Sequence, residues 1–358
     1  MKNLAYLLAL HSIDGLGPIR LTRILNHFED PKFGWGASLN ELRELGLPKN
    51  ALEALGEKRK TLDPEKYLEQ ILSSGIKILT IFDENYPKSL KTIYDPPIII
   101  FYKGEILPQD TKAIGVVGTR KVTGYGRVAT ENLVDGLIYA DFTIVSGLAR
   151  GVDTVAHSQA LKSGGRTIAV LGGGISKIFP PENTSLALKI LENGAVLSEY
   201  HPDSPHLPGN FPARNRIIAG LSLGVLVTEA AQDSGSLITA RLALEQGREV
   251  FAVPGPITST VSEGTADLIK EGARVVTKVE DILEELGIEQ YQITNDKLQM
   301  TNLSEMENQI LKCLENETMH IDEICRQLKK PASEVSAHLI KMEIQGFIKN
   351  LGGGNYTN

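Results

Sequence analysis

The chain has only two cysteines, Cys313 and Cys325, in 358 residues. Two are too few for a disulfide framework, and neither has partners at zinc-ligand spacing, so both are expected to be core thiols of a reducing compartment, with no metal site. Long hydrophobic runs are missing too: no stretch approaches the roughly 18–20 apolar residues of a membrane span. The run 4–10 (LAYLLAL) imitates a signal peptide, but it is short, weakly basic at its flank, and enters His11 and Asp14 without a small-residue cleavage site. These absences predict a soluble, cytoplasmic protein that does not engage a membrane. Positive charge is in deficit: 37 Lys+Arg stand against 44 Asp+Glu, a formal net charge of −7. That excludes a globally basic surface and leaves room for a local basic groove.

What remains is ordinary globular composition, 42% hydrophobic and 23% charged, in a chain long enough for two or three domains. Residues 1–60 carry helical spacing at Leu4, Leu7 and Leu8 and again at Leu21, Ile24, Leu25 and Phe28, around the turn Asp14-Gly15-Leu16-Gly17-Pro18. This is the pattern of a helix-hairpin-helix, with a weaker second copy near Leu42–Pro48. Two readings fit it, a hold on a DNA phosphate and a plain helical packing module. Residues 61–287 alternate strand and helix. Apolar runs at 76–80, 96–102, 113–117, 142–146, 167–171, 195–199, 223–228, 249–253 and 274–277 predict strands, most of them parallel and buried on both faces. Residues 288–302 are polar and poorly patterned, a linker. Residues 303–358 show three helical segments and a glycine-bounded pair of strands, a winged helix. Its third helix offers Ser333, Glu334, Ser336, His338 and Lys341, which is poor in arginine for a DNA reader.

The unusual residues collect after the predicted strands, where open α/β sheets bind ligands. Gly118-Thr119-Arg120 follow the first parallel strand, and Ser146-Gly147 through Arg150 and Asp153 follow the second. Gly172-Gly173-Gly174, Lys177 and Phe179 follow the third. Arg214-Asn215-Arg216 come after the fourth and Ser234-Gly235-Ser236 after the fifth. Backbone amides and guanidinium groups converging on one rim define an anion site. A dinucleotide is not the expected anion. The glycines at 115, 118, 124 and 126 do not form the fingerprint, and the second strand ends in Ser146-Gly147 where a ribose-binding acid belongs. No cofactor is expected.

Val117 to Arg120, Ser146 to Asp153, the segment 211–222 (FPARNRIIAGLS), Ser234 to Ala240 and Ala252 to Gly255 together resemble the DprA/Smf family over nearly the whole chain. The resemblance implies a helical N-terminal domain, an extended Rossmann-like doubly wound sheet and a C-terminal winged helix. It also implies a non-enzymatic protein that binds single-stranded DNA, dimerises, and loads RecA, with single-strand-binding protein as a further partner, during DNA uptake and natural transformation. Carried onto this sequence, the strand-binding residues are Gly118, Thr119, Arg120, Gly147, Arg150, Arg214, Asn215 and Arg216. Phe179 is placed to stack on a base, and Ser234, Gly235 and Ser236 extend the rim. Some members carry a lysine after the matching Phe-Pro, where this chain has Pro181-Glu182-Asn183; Lys177 is the substitute cation nearby. The segment with Leu268, Ile269 and Val275 is the expected dimer interface, by resemblance and apolar character.

The competing reading is a nucleotide (phosphoribosyl) hydrolase on the same fold, with Asp153, His157, Glu199 and Glu229 as acids or bases. For Asp153 the structural alternative is a helix cap, and for His157 a bond to a loop carbonyl. No catalytic residue is assigned.

Overall fold

Runs such as Thr167–Leu171 and Ala113–Val117, buried at every position, form strands sandwiched on both faces. The computed structural model describes residues 3–288, 304–314, 318–344 and 347–357. They divide into two compact units, Met1–Glu289 and Gln290–Asn358.

The strands of the first unit are β1 (Lys77–Thr80), β2 (Ile99–Gly104), β3 (Ala113–Val117), β4 (Thr143–Ser146), β5 (Thr167–Leu171), β6 (Gly194–Ser198), β7 (Gly224–Val227), β8 (Glu249–Ala252) and β9 (Arg274–Val275). They form one sheet in the order β1-β2-β6-β5-β4-β3-β7-β8-β9. From β6 to β9 all pairings are parallel, whereas β1, β2 and β6 pair antiparallel. The expected segment 61–111 thus extends the central sheet at one edge.

Alternate strand residues serve different cores, as the two-residue repeat requires. Phe101, Ala169 and Val196 join the cluster that contains Leu7, Leu8, Leu21, Ile24 and Leu55 of the N-terminal helices. Their neighbours Ile100, Ile168 and Ala195 join the opposite cluster, with Ile217 and Ile218 of helix Asn210–Leu221 and Ala240 of helix Gly235–Glu245. The helices of residues 4–61 therefore share a core with the sheet. Burying each of their leucines contributes roughly 1.5–3 kcal/mol before chain entropy is counted. Within the N-terminal helices, Arg20 donates to the Gly15 carbonyl at 2.8 Å and Arg23 to the Leu45 carbonyl at 3.0 Å.

Of the expected dimer residues, Leu268 is 4% exposed and belongs to the core of this unit, so its side chain has no surface to offer. Ile269 is half-buried and Val275 is 40% exposed.

The second unit has helices Glu305–Leu314, Ile321–Leu328 and Ala332–Ile344 and a three-stranded antiparallel sheet. Its strands are β10 (Met319–His320), β11 (Lys349–Gly352) and β12 (Asn355–Thr357), in the order β10-β12-β11. This is a winged helix with one short strand more than the two expected. Cys313 and Cys325 are half-buried free thiols beside its core, less buried than expected, and burial pushes the Cys313 thiol up. From residue 289 onward the expected linker lies outside the described residues.

Candidate functional site

β3 is the point at which the chain's direction of travel across the sheet reverses: β4 pairs along one of its edges and β7 along the other. Ligands of open α/β sheets sit beyond the strand ends at such a point. A cleft of about 320 Å³ lies there. Gly118 and Arg120 line it after β3, Ala149 and Asp153 after β4, and Phe179 after β5. The N-terminal turns of helices Asn210–Leu221 and Gly235–Glu245 close it.

Helix Asn210–Leu221 presents Phe211, Arg214, Asn215 and Ile218 to the cleft. They recur at i, i+3, i+4 and i+7, one face of a helix. Arg214 is 4% exposed, and its Nη1 donates to the carbonyls of Gly147 (2.8 Å) and Val170. Burial lowers its pKa to about 10, with Asp153 opposing, so it remains charged at neutral pH. Arg214 is a fixed positive charge in the cleft wall.

Arg120 is the exposed cation of the cleft, its guanidinium 5.7 Å from the centroid of the Phe211 ring. Phe179, 43% exposed, lies 5.7 Å from Phe211 and stacks on His206 at 5.4 Å. The result is an aromatic ledge with a cation at one end. Opposite, helix Gly235–Glu245 begins at an exposed glycine with no acid in its first turn. Ser234 is its N-cap, accepting from the Ser236 amide at 3.4 Å and sharing a 2.8 Å hydroxyl bond with Ser236. Its positive dipole end is therefore open to an anion.

Other expected rim residues take different places. Arg216 is 5% exposed; Nη2 donates to Glu199 Oε1 at 2.7 Å and Nε pairs with Asp95 Oδ2 at 2.9 Å. Burial works to lower its pKa, but these carboxylates hold it above the ordinary value. Its expected place on the rim is thus corrected: it is a buried structural cation, turned away by the helix. Thr119 is 9% exposed, its amide bonded to the Glu229 carbonyl at 2.7 Å and its hydroxyl accepting from the Lys121 amide at 3.1 Å. Lys177 is exposed and outside the cleft lining, and its carbonyl accepts from His206 Nε2 at 2.7 Å. Arg150 is exposed beside the cleft, donating through Nε to Glu182.

The rim amides are less available than the glycine pattern implies. Those of Gly147 and Ala149 donate to Asp153 Oδ2 at 3.1 and 3.2 Å, and that of Val152 to the Thr119 carbonyl at 3.1 Å. Several of the rim's glycines are there for close approach. Gly147 is covered by the Arg214 guanidinium, and Gly151, at φ +76°, lies where a Cβ would meet the Thr119 carbonyl at 2.2 Å. Phe211, unassigned from the sequence, is the aromatic that connects Arg120 to Phe179.

The four acid–base candidates each hold a local partner, although the buried Nε2 of His157 has none among the described residues. Asp153 holds the loop ahead of its helix rather than capping it, and burial raises its pKa against the pull of Arg214 and the two amides. His157 Nδ1 meets the Thr167 hydroxyl at 2.6 Å, not a loop carbonyl, and burial lowers its pKa to about 3. Glu199 is paired with Arg216. Glu229, 2% exposed, accepts from the amide and hydroxyl of Thr123, the N-cap of helix Gly124–Tyr139.

Fold and cleft together define a doubly wound α/β protein with a cationic, aromatic-lined cleft at its switch point. The chain belongs to the DNA recombination-mediator protein A family, DprA/Smf: the family model matches residues 77–287, and that of the DprA winged helix domain matches residues 299–354. Protein Smf of Synechocystis sp. is 36% identical over 389 residues, covering 98% of each chain. The X-ray structure of DNA processing protein A from Streptococcus pneumoniae is 38% identical with a TM-score of 0.71, over 80% of this chain and 99% of that one. A solved structure of DNA processing protein A from Helicobacter pylori, described for its single-stranded DNA binding mode, is 32% identical with a TM-score of 0.53, over 59% of this chain and 95% of that one. Among the described residues, no helix is long and apolar enough to cross a membrane.

Proposed function

We propose that this protein binds single-stranded DNA by its backbone, without reading sequence, and acts as a non-enzymatic mediator that brings RecA onto strands coated with single-strand-binding protein during recombination and DNA uptake. The observation that carries the binding reading is Arg120 standing exposed over Phe211 at 5.7 Å, one end of an aromatic ledge that continues to Phe179. A cation for phosphate beside rings for bases is the combination single strands require. Buried Arg214 and the open start of helix Gly235–Glu245 add positive potential, and the Helicobacter relative described for single-strand binding supports the same ligand. The engagement of Asp153, His157, Glu199 and Glu229 in local structure supports the non-enzymatic reading. Ile269 and Val275 remain the proposed dimer contact, and the cytoplasm the proposed location.

The test is fluorescence anisotropy with a labelled oligothymidine across a salt series. Each phosphate contact contributes about 0.7 to the slope of log affinity against log salt for a single strand. Arg120→Ala should weaken binding and flatten that slope by about one contact's worth; an unchanged affinity and slope would remove the assignment. RecA filament formation on protein-coated single strands, with and without this chain, tests the mediator role.

A further inference from the structure

Beside the cleft, the sequence places a carboxylate where a phosphate-binding edge has no use for one. Arg150 and Glu182 form an ion pair through Nε and Oε1, with side chains 62% and 49% exposed. Asp153 and Glu229, which also follow strand ends here, are buried and bonded to amides. Of these three, Glu182 is the exposed one.

The pair is held in place by its surroundings. Glu182 sits in a short 3-10 turn, Pro181–Asn183, three residues after Phe179. The next residue, Asn183, is 6% exposed and donates from Nδ2 to the Leu148 carbonyl and the Thr154 hydroxyl, both at 2.9 Å. That pins the turn against the loop carrying Arg150. The same loop is seated on the backbone of Arg120: a Cβ on Gly151 would lie 2.2 Å from the Thr119 carbonyl and 2.7 Å from the Arg120 carbonyl carbon. The backbones that carry Arg150 and Arg120 are therefore packed together, both side chains are exposed, and one of the two is already occupied by an acid of the same chain.

Building on the single-strand reading above, we propose that Glu182 is an internal competitor for phosphate. It holds Arg150 in the DNA-free protein and yields it when a backbone phosphate arrives. An ion pair this exposed is weak, so a phosphate flanked by Arg120 displaces it, and the released carboxylate then stands beside a polyanion and repels it. Glu182 thereby lowers affinity and lets strands leave. Arg150 contributes to binding only after the exchange.

The experiment is a salt-series anisotropy titration of oligothymidine with the full-length wild type, Glu182→Gln, Arg150→Ala, the double variant and Arg120→Ala. Glu182→Gln should bind about three- to tenfold tighter at low salt, with a slope steeper by up to about 0.7, because no released carboxylate then offsets the contact of Arg150 with its phosphate. In the Arg150→Ala background the same change should yield less than about a twofold gain, because there is no ion pair left to exchange and only the salt-screened repulsion of an exposed carboxylate is relieved. Glu182→Gln binding like the wild type, while Arg120→Ala has lost affinity, would overturn this proposal and leave the site standing. An equal gain in both backgrounds would also overturn it, because the carboxylate would then act without Arg150. Arg120→Ala binding like the wild type would overturn the site reading and this proposal together. Both exposed positions tolerate these changes, and matching melting curves of the variants confirm that the fold is intact.

Discussion

A Cβ on Gly147 would lie 2.4 Å from Nη2 of Arg214 and 2.6 Å from its Cζ. Glycine is required at 147 because a guanidinium lies flat over it, and that guanidinium also takes the Gly147 carbonyl at 2.8 Å. Gly147→Ala must move either the loop or the arginine. Overpacking of this kind costs about 1–3 kcal/mol. The expected outcome is a lowered melting temperature together with weakened oligonucleotide binding, measured by thermal unfolding and anisotropy on the same sample.

The two cleft arginines should separate cleanly. Arg120 is exposed, so Arg120→Ala should change stability by less than about 0.5 kcal/mol while lowering affinity. Arg214→Ala removes a buried charge that satisfies two carbonyls, at a cost of about 3–5 kcal/mol. Arg216→Ala should be destabilising on the same scale, since it strands Glu199 in the interior. Urea unfolding distinguishes the three: one curve unchanged, two shifted to lower denaturant.

That split marks how far the sequence alone could reach. The nine strands and a candidate site at their ends were legible because buried parallel strands are continuous apolar runs and because glycine, hydroxyl and arginine gathered after them. Arg214 and Arg216 looked alike in the motif 213–216. Helical geometry separates them: Arg214 falls with Phe211, Asn215 and Ile218 on one face, while Arg216, two residues on from Arg214, is rotated away. Applying the 3.6-residue period to the motif would have found Phe211 and excluded Arg216. The ion pairing of Arg150 with Glu182 spans 32 residues, and no local pattern predicts it.

Phe179 and Phe211 should contribute through stacking, not charge. Phe179→Ala is expected to weaken single-strand binding by about 1–3 kcal/mol, the usual worth of one base–aromatic stack, with the salt slope unchanged. Phe211→Ala should do the same and also loosen Arg120, flattening the slope slightly. A titration at two salt concentrations tells the two patterns apart.

In the winged helix, Glu307 accepts from Lys341 Nζ at 2.9 Å, His338 Nδ1 at 3.2 Å and the Ser304 amide at 2.7 Å. Burial works to raise its pKa, but these donors hold it at about 2, below the ordinary 4.5. A carboxylate depressed in the folded state stabilises fully above the ordinary value and loses that contribution as pH falls through the folded one. Hydrogen exchange over residues 304–357 should therefore be insensitive to Glu307→Gln near pH 2 and accelerated by it above pH 5. The same bonds engage two polar residues of helix Ala332–Ile344, His338 and Lys341, within the domain.

The core shared by the N-terminal helices and the sheet reaches further than packing. Leu148, fully buried in that same core, has φ +57°, a conformation leucine rarely adopts. It lies two residues before Arg150, and the Asn183 side chain grips its carbonyl. The helices before residue 62 thus act as ballast for a strained loop at the edge of the cleft. A protein started at residue 77, where the family match begins, would keep every residue of the cleft and lose the helices whose core Leu148 shares, and it should melt at a lower temperature than the whole chain.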